Sequence, residues 1–147
     1  MQGITGHELS SKKAEYLKYI YMQGNVVKTN EIAAQFSVAP STATKALTEI
    51  AKAGYIEHSP YRGVRLTNLG SRYARFLIRR HRIVALALSH YGLEPNEACR
   101  EAKKVEQCFS KDLINRMCTS LGHPMMSGCG EIEHDRCCCC PSSDHQE

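Results

Sequence analysis

The stretch that most constrains the fold of this chain is residues 28–66, where two helical patterns are followed by a strand-like alternation. Ile32 and Phe36 lie on one apolar helical face. A second apolar face begins after Pro40, a residue that suits the first turn of a helix because it lacks an N–H group. Gly54 follows this second pattern, as a glycine often does where a helix ends. The stretch therefore predicts a helix, a turn, a second helix and a two-stranded hairpin.

This order of elements is typical of a winged helix-turn-helix, whose second helix enters the major groove of DNA. The exposed face of that helix would carry short hydroxyl side chains and one cation, which suit phosphate oxygens and base edges. An ordinary helical hairpin with a solvated polar face would give a similar but less specific pattern. The candidate DNA-binding residues are Pro40, Ser41, Thr42, Thr44 and Lys45 in the helix, and Tyr61 and Arg62 at the hairpin tip.

The charges of the chain are distributed unevenly. The formal net charge is only +4, yet between residues 40 and 82 nine Lys and Arg residues are opposed by Glu49 and Glu57 alone. After residue 83 the acidic residues outnumber the basic ones. A basic first half that would meet phosphates and an acidic, cysteine-bearing second half indicate two separate tasks.

The remaining patterns predict a mainly α-helical protein. A helix over residues 10–22 precedes the stretch described above, and a long helix over residues 67–90 follows it, with Thr67 as its cap. Further helices are predicted over residues 95–109 and 110–121. Val26-Val27 predicts a short strand that completes the sheet of the hairpin. The final residues are rich in Gly, Ser and Cys without any period, which indicates irregular structure.

The positions of the cysteines and the lack of long apolar runs limit the kinds of chemistry and location to expect. No apolar run approaches the roughly 20 residues of a membrane span, and the start lacks the apolar core of a signal peptide, so a cytoplasmic location is expected. All eight cysteines lie at or after Cys99. In such a chain they favour metal or redox chemistry over a disulfide framework.

We expect no enzyme, because the sequence has no nucleophile motif, phosphate-binding glycine loop or paired catalytic carboxylates.

Most of residues 12–124 resemble the diphtheria-toxin-repressor and manganese-transport-regulator family of metal-dependent transcriptional repressors, in a short two-domain form. The resemblance is carried by YRGVRLTNLG in the hairpin, RRHRIVALAL in the long helix and EACREAKKVEQCFSKDLINRM after it. It implies a homodimer that binds a palindromic operator in double-stranded DNA. It also implies a divalent metal, iron or manganese, in the dimerisation domain.

With this resemblance the expected organisation has three parts. Residues 1–72 would form the winged helix-turn-helix DNA-binding domain. Residues 73–124 would form a helical dimerisation and metal-sensing domain. Residues 125–147 would form an irregular Cys-rich tail.

The resemblance also implies a ligand set for the metal. His81 falls on the ligand that the family has in its long helix, and Glu106 on the ligand of a following helix. Glu15 lies where the first helix contributes to the site. Cys99 falls where some members keep an ancillary histidine.

Three departures from the family pattern predict that this site is impaired. Lys103 stands where a cysteine or glutamate ligand is usual, Gln107 where a histidine is usual, and Ala85 replaces an ancillary carboxylate. An ammonium group repels a divalent cation and a neutral amide coordinates it weakly. We therefore do not expect manganese sensing of the usual kind.

The cysteines offer an alternative ligand set. Cys99 lies near the start of one predicted helix and Cys118 near the end of the next, and these two ends are neighbours in an antiparallel helix pair. The tail could then add further thiolates, and four scattered thiolates suit zinc, in tetrahedral coordination, or an iron–sulfur cluster. The candidate residues of this interpretation are Cys99, Cys118, Cys129, Cys137 and Cys138.

Simpler interpretations stand beside these. Cys108 and Cys118 would also suit small core positions, and Cys108 is the stronger case. His81 would also suit a hydrogen-bonded core position, and His123 a cation at a helix C-terminus. The other histidines, His134 among them, show no ligand spacing.

The expected function is a dimeric DNA-binding transcriptional regulator, most simply a repressor. It would respond to iron, to another transition metal such as manganese or zinc, or to an iron–sulfur cluster. Two alternatives remain: a zinc-stabilised winged-helix adaptor of the transcription machinery, and a regulator that senses redox state through its thiols.

Overall fold

A computed structural model describes residues 3–134 of the chain. The chain divides into two compact units: Glu8–Leu77, which we call the winged unit, and Met1–His7 with Ile78–Glu147, which we call the C-terminal unit. No helix in the described part is long and apolar enough to cross a membrane.

The winged unit has the predicted order of elements. Ser10 caps the start of its first helix, because the Ser10 hydroxyl accepts a hydrogen bond from the Lys13 N–H at 3.4 Å. Pro40 occupies the first turn of the third helix, as predicted. The elements are α1 (Ser11–Gln23), α2 (Thr29–Gln35), α3 (Pro40–Lys52), β1 (Ile56–Ser59), β2 (Gly63–Leu66) and the start of α4 (Asn68–Ser89).

The wing is an antiparallel pair, with Ile56 opposite Leu66 and Ser59 opposite Gly63. Val27 exchanges two backbone hydrogen bonds with Val64, at 3.0 and 2.8 Å. The strand predicted at Val26-Val27 is thus a single bridging residue, Val27, whose side chain is buried.

Aromatic packing and one close approach fix the core of the winged unit. Tyr16 meets Phe36 edge-on with ring centroids 4.5 Å apart, and the ring of Tyr55 lies 5.0 Å from that of Tyr73. The backbone of α4 passes so close to Tyr55 that a Cβ added at Gly70 would lie 1.8 Å from the Tyr55 carbonyl oxygen. The position therefore requires glycine.

The start of α4 is capped as predicted. The Thr67 hydroxyl accepts from the Gly70 N–H at 3.0 Å and donates to the Gly54 carbonyl at 2.7 Å. This one side chain satisfies an N–H group at the start of α4 and a carbonyl just beyond the end of α3.

The C-terminal unit continues α4 and adds short elements. The helix predicted over residues 95–109 ends early and tightens into a 3-10 turn, after which Phe109 is extended and Ser110 caps the next helix. The elements are α5 (Pro95–Val105), the 3-10 turn Glu106–Cys108, α6 (Lys111–Ser120), β3 (Met126–Ser127) and β4 (Gly130–Glu131).

The tail that was predicted to be irregular from residue 125 begins with a short hairpin, which β3 and β4 form. The Ser127 hydroxyl accepts from the Cys129 N–H at 3.2 Å and donates to the Gly130 carbonyl at 3.1 Å. The Ile132 N–H donates to the Met125 carbonyl at 2.9 Å, and the Ile132 side chain is buried. Strands of two residues leave no alternation that a sequence pattern could show.

Candidate DNA-binding surface and candidate metal sites

The outer face of α3 is free for contact with a duplex. Pro40, Ser41, Thr42, Thr44 and Lys45 are all exposed, whereas the opposite face packs into the core. The Thr44 hydroxyl donates to the Pro40 carbonyl at 2.9 Å. Its oxygen can therefore only accept further hydrogen bonds, and its methyl group offers an apolar contact suited to thymine.

The tip of the wing carries the other two predicted DNA-binding residues. Tyr61 is 97% exposed and Arg62 is also exposed. An arginine and an uncovered aromatic ring on a protruding loop suit contacts with the phosphate backbone or the minor groove. Behind the tip, Arg65 pairs with Glu57 at 2.5 Å on the surface of the wing.

His81 lies at the centre of a first group of metal-ligand atoms, which we call the His81 group. Its Nε2 atom is 3.1 Å from the Sγ of Cys99 and 3.6 Å from the Sγ of Cys129. The three ligand atoms all lie within 4.8 Å of one another. The residues come from α4, from the first turns of α5 and from the tip of the β3–β4 hairpin.

These distances and donors fit a divalent ion in tetrahedral coordination. Bonds of about 2.3 Å to sulfur and about 2.0 Å to nitrogen place the two ligand atoms about 3.5 Å apart at a tetrahedral angle. Two thiols and one imidazole suit zinc or ferrous iron, whereas manganese prefers oxygen donors. With three protein ligands, a fourth position stays open for water or another donor.

Glu106 orients the imidazole of this group. Its Oε2 accepts from the Nδ1–H of His81 at 2.6 Å, and both side chains are largely buried. This hydrogen bond turns Nε2 towards the thiols, which is the usual arrangement behind a metal-binding histidine. Glu106 was predicted as a ligand, and in the structure its carboxylate binds the far nitrogen of His81.

The protonation of the His81 group is uneven. The hydrogen bond to Glu106 raises the pKa of His81, although burial opposes this. Burial disfavours a thiolate at Cys99, but hydrogen bonds from Cys129 and His81 outweigh it and lower the pKa of Cys99. Burial and the neighbouring Cys99 raise the pKa of Cys129 to about 11. A metal bound by both sulfurs must displace the Cys129 proton.

The hairpin is held closely against two helices, which fixes the position of Cys129. Arg82 on α4 donates a hydrogen bond to the Glu131 carbonyl. At the other side a Cβ added at Gly128 would lie 2.9 Å from the Cβ of Pro95, at the start of α5. The Arg82 and Pro95 side chains thus hold the backbone of the hairpin in the place where Cys129 meets Cys99.

Cys118 lies in a different group, which we call the Cys118 group. Its Sγ is 3.3 Å from the Nδ1 of His134 and 3.6 Å from the Nδ1 of His123. The cysteines predicted to share one cluster are thus divided between two groups in residues 3–134, because the hairpin places Cys129 beside Cys99 and its end beside Cys118. Cys137 and Cys138 lie outside the described residues.

The residues that depart from the family pattern have other roles. The side-chain oxygen of Gln107 accepts from the Arg80 guanidinium at 3.1 Å, and Arg80 also donates to the carbonyls of Gly6 and Phe109. Lys103 is exposed. The Gln107 side chain is therefore engaged with a guanidinium group.

Two other predicted residues lie elsewhere. Glu15 belongs to the winged unit, where it pairs with Lys18 on its own helix at 2.8 Å. Cys108 is exposed at the end of the 3-10 turn, so its prediction as a core residue was wrong. The turn unwinds α5 before Cys108 and leaves its side chain in solvent.

His123 and His134 were not recognised as candidate ligands. None of the three pairs in the Cys118 group has the i, i+3 or i, i+4 spacing of neighbours on a helix, and the hairpin lies between His134 and the other two residues. The available signal was a cysteine in the last turn of a helix, followed by Gly122-His123 at the point where the helix ends.

Comparison with known proteins identifies the family. The family described as iron dependent repressor, N-terminal DNA binding domain, matches residues 8–64. The one described as iron dependent repressor, metal binding and dimerisation domain, matches residues 67–134. The resemblance noted from the hairpin and the long helix is thereby confirmed.

Individual relatives agree with this assignment. An HTH-type transcriptional regulator of Methanocaldococcus jannaschii is 28% identical over 114 residues, covering 74% of this chain and 91% of that protein. The regulator MntR of Bacillus subtilis is 26% identical over 106 residues, covering 70% of this chain and 75% of that protein.

The fold is also similar to solved structures. A hypothetical protein from Sulfolobus solfataricus superposes with a TM-score of 0.76 at 28% identity, over 86% of this chain and all of that one. A manganese-dependent transcriptional repressor in complex with manganese gives a TM-score of 0.68 at 26% identity, over 84% of this chain and 63% of that one. The chain belongs to the iron-dependent repressor family of metal-dependent transcriptional repressors, with a DNA-binding domain followed by a metal-binding and dimerisation domain.

Proposed function

We propose that this chain is a homodimeric repressor that binds a palindromic DNA operator and responds to Fe²⁺ or Zn²⁺ at His81, Cys99 and Cys129. The observation that carries the proposal is the approach of two thiols to the same imidazole nitrogen, at 3.1 and 3.6 Å. The exposed hydroxyl and lysine side chains of α3 support the DNA-binding part.

The donor chemistry favours a thiophilic ion over manganese. Solved relatives are described as a repressor in complex with manganese and as ScaR with bound Zn²⁺, and the chain spans 63% and 62% of their lengths. In this chain the group contains no oxygen donor among its three ligand atoms. Sulfur and nitrogen donors select zinc and iron, while carboxylates and water suit manganese.

A single ion is favoured over an iron–sulfur cluster at this site. A cluster is normally held by four cysteine thiolates. Among the described residues only Cys99 and Cys129 contribute sulfur to the His81 group, and its third donor is an imidazole.

A response of DNA binding to the metal has a structural element to act through. His81 lies on α4, and the first residues of this helix belong to the winged unit. An ion that holds His81 against α5 and the hairpin would restrict the movement of α4, whose first residues belong to the winged unit. The metal then favours one arrangement of a dimer, and that preference appears as tighter operator binding.

The test is a DNA-binding titration of the full chain. A duplex is selected from a random library with zinc-loaded protein, and its affinity is measured by fluorescence anisotropy at fixed salt. Four samples are compared: protein without metal, protein loaded anaerobically with Fe²⁺, protein loaded with Zn²⁺ and protein loaded with Mn²⁺. Coupling energies of this kind give roughly 5- to 150-fold tighter binding, and we expect this for Fe²⁺ or Zn²⁺ but not for Mn²⁺.

Cys129→Ser should abolish the metal response, whereas Cys108→Ser, at an exposed cysteine outside both groups, should keep it. Equal affinity in every metal state, or a full response in Cys129→Ser, would contradict the proposal. Tighter operator binding with Mn²⁺, and not with Fe²⁺ or Zn²⁺, would contradict the assignment of the ion.

A further inference from the structure

The Cys118 group lies apart from the proposed sensing site and has the features of a metal site of its own. Cys118, His123 and His134 offer three ligand atoms within 4.8 Å of one another. We propose that this group binds a second divalent ion of the zinc class, which fastens the β3–β4 hairpin to the end of α6.

The convergence of both imidazoles on one sulfur supports a bound cation. Nδ1 of His134 and Nδ1 of His123 lie 3.3 and 3.6 Å from the Cys118 Sγ. A thiol has one proton and can donate it to only one of these atoms. Without a metal the other contact needs an imidazole N–H pointed at sulfur, a weak acceptor. A cation between a thiolate and two imidazoles satisfies all three atoms, and tetrahedral zinc separates sulfur and nitrogen by about 3.5 Å.

The end of α6 is shaped to bring His123 back to Cys118. The His123 N–H donates to the Cys118 carbonyl at 2.9 Å. His123 has a φ of 53°, in the left-handed region that residues other than glycine seldom adopt. Such backbone strain tends to occur where a side chain must be held for a purpose. Here the bend turns the imidazole of His123 towards the buried sulfur.

The hairpin brings the third ligand. The Ile132 N–H donates to the Met125 carbonyl at 2.9 Å, and Ile132 is only 1% exposed. His134 follows two residues later, with its ring centroid 5.8 Å from that of His123. The chain thus returns across the end of α6 at the point where Cys118 and His123 already meet.

The donors define the class of ion. One thiolate and two imidazoles match the ligands that zinc takes in proteins, and they leave one position for water or another donor. Cys118 is fully buried, with 0% of its surface exposed. A buried thiolate would be costly without a counter-charge, which favours an ion that stays bound and acts on structure.

The position of the hairpin links this ion to the sensing site, a consequence that rests on the proposed function. Cys129 lies at the tip of the hairpin and belongs to the His81 group, while His134 lies just beyond its end and belongs to the Cys118 group. An ion in the Cys118 group holds the hairpin in place and so pre-organises Cys129. Filling this second site should therefore tighten metal binding at the first.

The test is a titration of metal-free full-length protein with Co²⁺, an ion whose visible spectrum reports tetrahedral coordination by sulfur and nitrogen. The variants are His134→Ala and His123→Ala, each of which removes one ligand of the Cys118 group. His90→Ala is the matched control, since His90 is exposed and belongs to neither group. Cys129→Ser reports on the His81 group, and circular dichroism confirms that each variant is folded.

We expect two tightly bound Co²⁺ ions per chain in the wild type and in His90→Ala, and one in each of the other three variants. In His134→Ala the remaining ion should also bind several-fold more weakly. If both histidine variants keep the wild-type count and spectrum, the second site is wrong. If Cys129→Ser keeps the wild-type number of ions and spectrum while both histidine variants lose one ion, the proposed sensing site is contradicted and the proposed second site is supported.

Discussion

Both units of this protein have a buried apolar core, but they differ in what accompanies it. The winged unit relies on apolar and aromatic packing, such as the Tyr16–Phe36 contact, and on backbone caps such as Thr67. The described part of the C-terminal unit holds both of the groups of metal-ligand atoms found in residues 3–134. If metal binds at these groups, we expect it to organise the C-terminal unit and to leave the fold of the winged unit unchanged.

The difference concerns where the stabilising contacts come from. In the winged unit, the helices and the four-residue strands of the wing make the contacts, including long-range ones such as the Val27–Val64 bridge. In the C-terminal unit, a hairpin with strands of two residues is held by Arg82 and Pro95 and carries one ligand to each group. Such a hairpin is marginal by itself, so its order should depend on what it binds.

The largest expected effect is on the winged unit, from Gly70→Ala. The added methyl group would lie 1.8 Å from the Tyr55 carbonyl oxygen, so the start of α4 must move away from the wing. We expect a loss of about 3 kcal/mol or more in the free energy of unfolding, measured by urea denaturation.

Gly24→Ala is the matched control for this change. Gly24 has a φ of 69° but nothing within 4 Å of an added Cβ, so it should cost only about 1 kcal/mol. Equal effects of the two substitutions would show that close packing against Tyr55 does not hold the winged unit together.

The double substitution Thr44→Ala and Lys45→Ala should separate DNA binding from metal binding. Both side chains are exposed on α3, so the fold and the metal content should not change. Each lost contact with a base or phosphate costs about 1–3 kcal/mol, and we expect operator binding to fall by about 30-fold or more. Anisotropy titrations measure this fall.

Lys104→Ala serves as its control, since Lys104 is exposed on α5 and pairs with Glu101. If the double substitution leaves the affinity at the control level, α3 is not the recognition helix.

A smaller effect is expected in the C-terminal unit from Glu106→Gln. The amide can still accept from His81, but the charge that supports the imidazole is lost. Loss of such a partner typically weakens metal binding by about 10-fold or more, and competition with a chelating dye measures this. Glu101→Gln, at a surface carboxylate paired with Lys104, should leave the affinity unchanged.

The smallest effect should come from the surface of the wing. Glu57 and Arg65 are 2.5 Å apart, but both side chains are more than half exposed. Glu57→Gln should change the free energy of unfolding by no more than about 0.5 kcal/mol, measured by urea denaturation. A loss comparable to that of Gly70→Ala would mean that surface charge stabilises the winged unit as much as its packing does.

The contrast between the units also explains what the sequence could predict. Pro40, Gly54 and Thr67 act on elements within a few residues of themselves, so the helices and the wing followed from local patterns. The grouping of Cys99 with Cys129, and of Cys118 with His134, depends on where the hairpin lies. No periodic pattern carries that information, so Cys118 was predicted beside Cys99, and His134 was not predicted as a ligand.

The central claim is that metal organises the C-terminal unit and leaves the fold of the winged unit unchanged. Amide hydrogen exchange of the zinc-loaded and the chelated full-length protein tests it directly, because exchange reports local opening residue by residue. We predict that α6 and the β3–β4 hairpin lose protection when zinc is removed, while α1 to α3 and the wing keep theirs. Unchanged exchange in α6 and the hairpin, or an equal loss of protection in the winged unit, would contradict the claim.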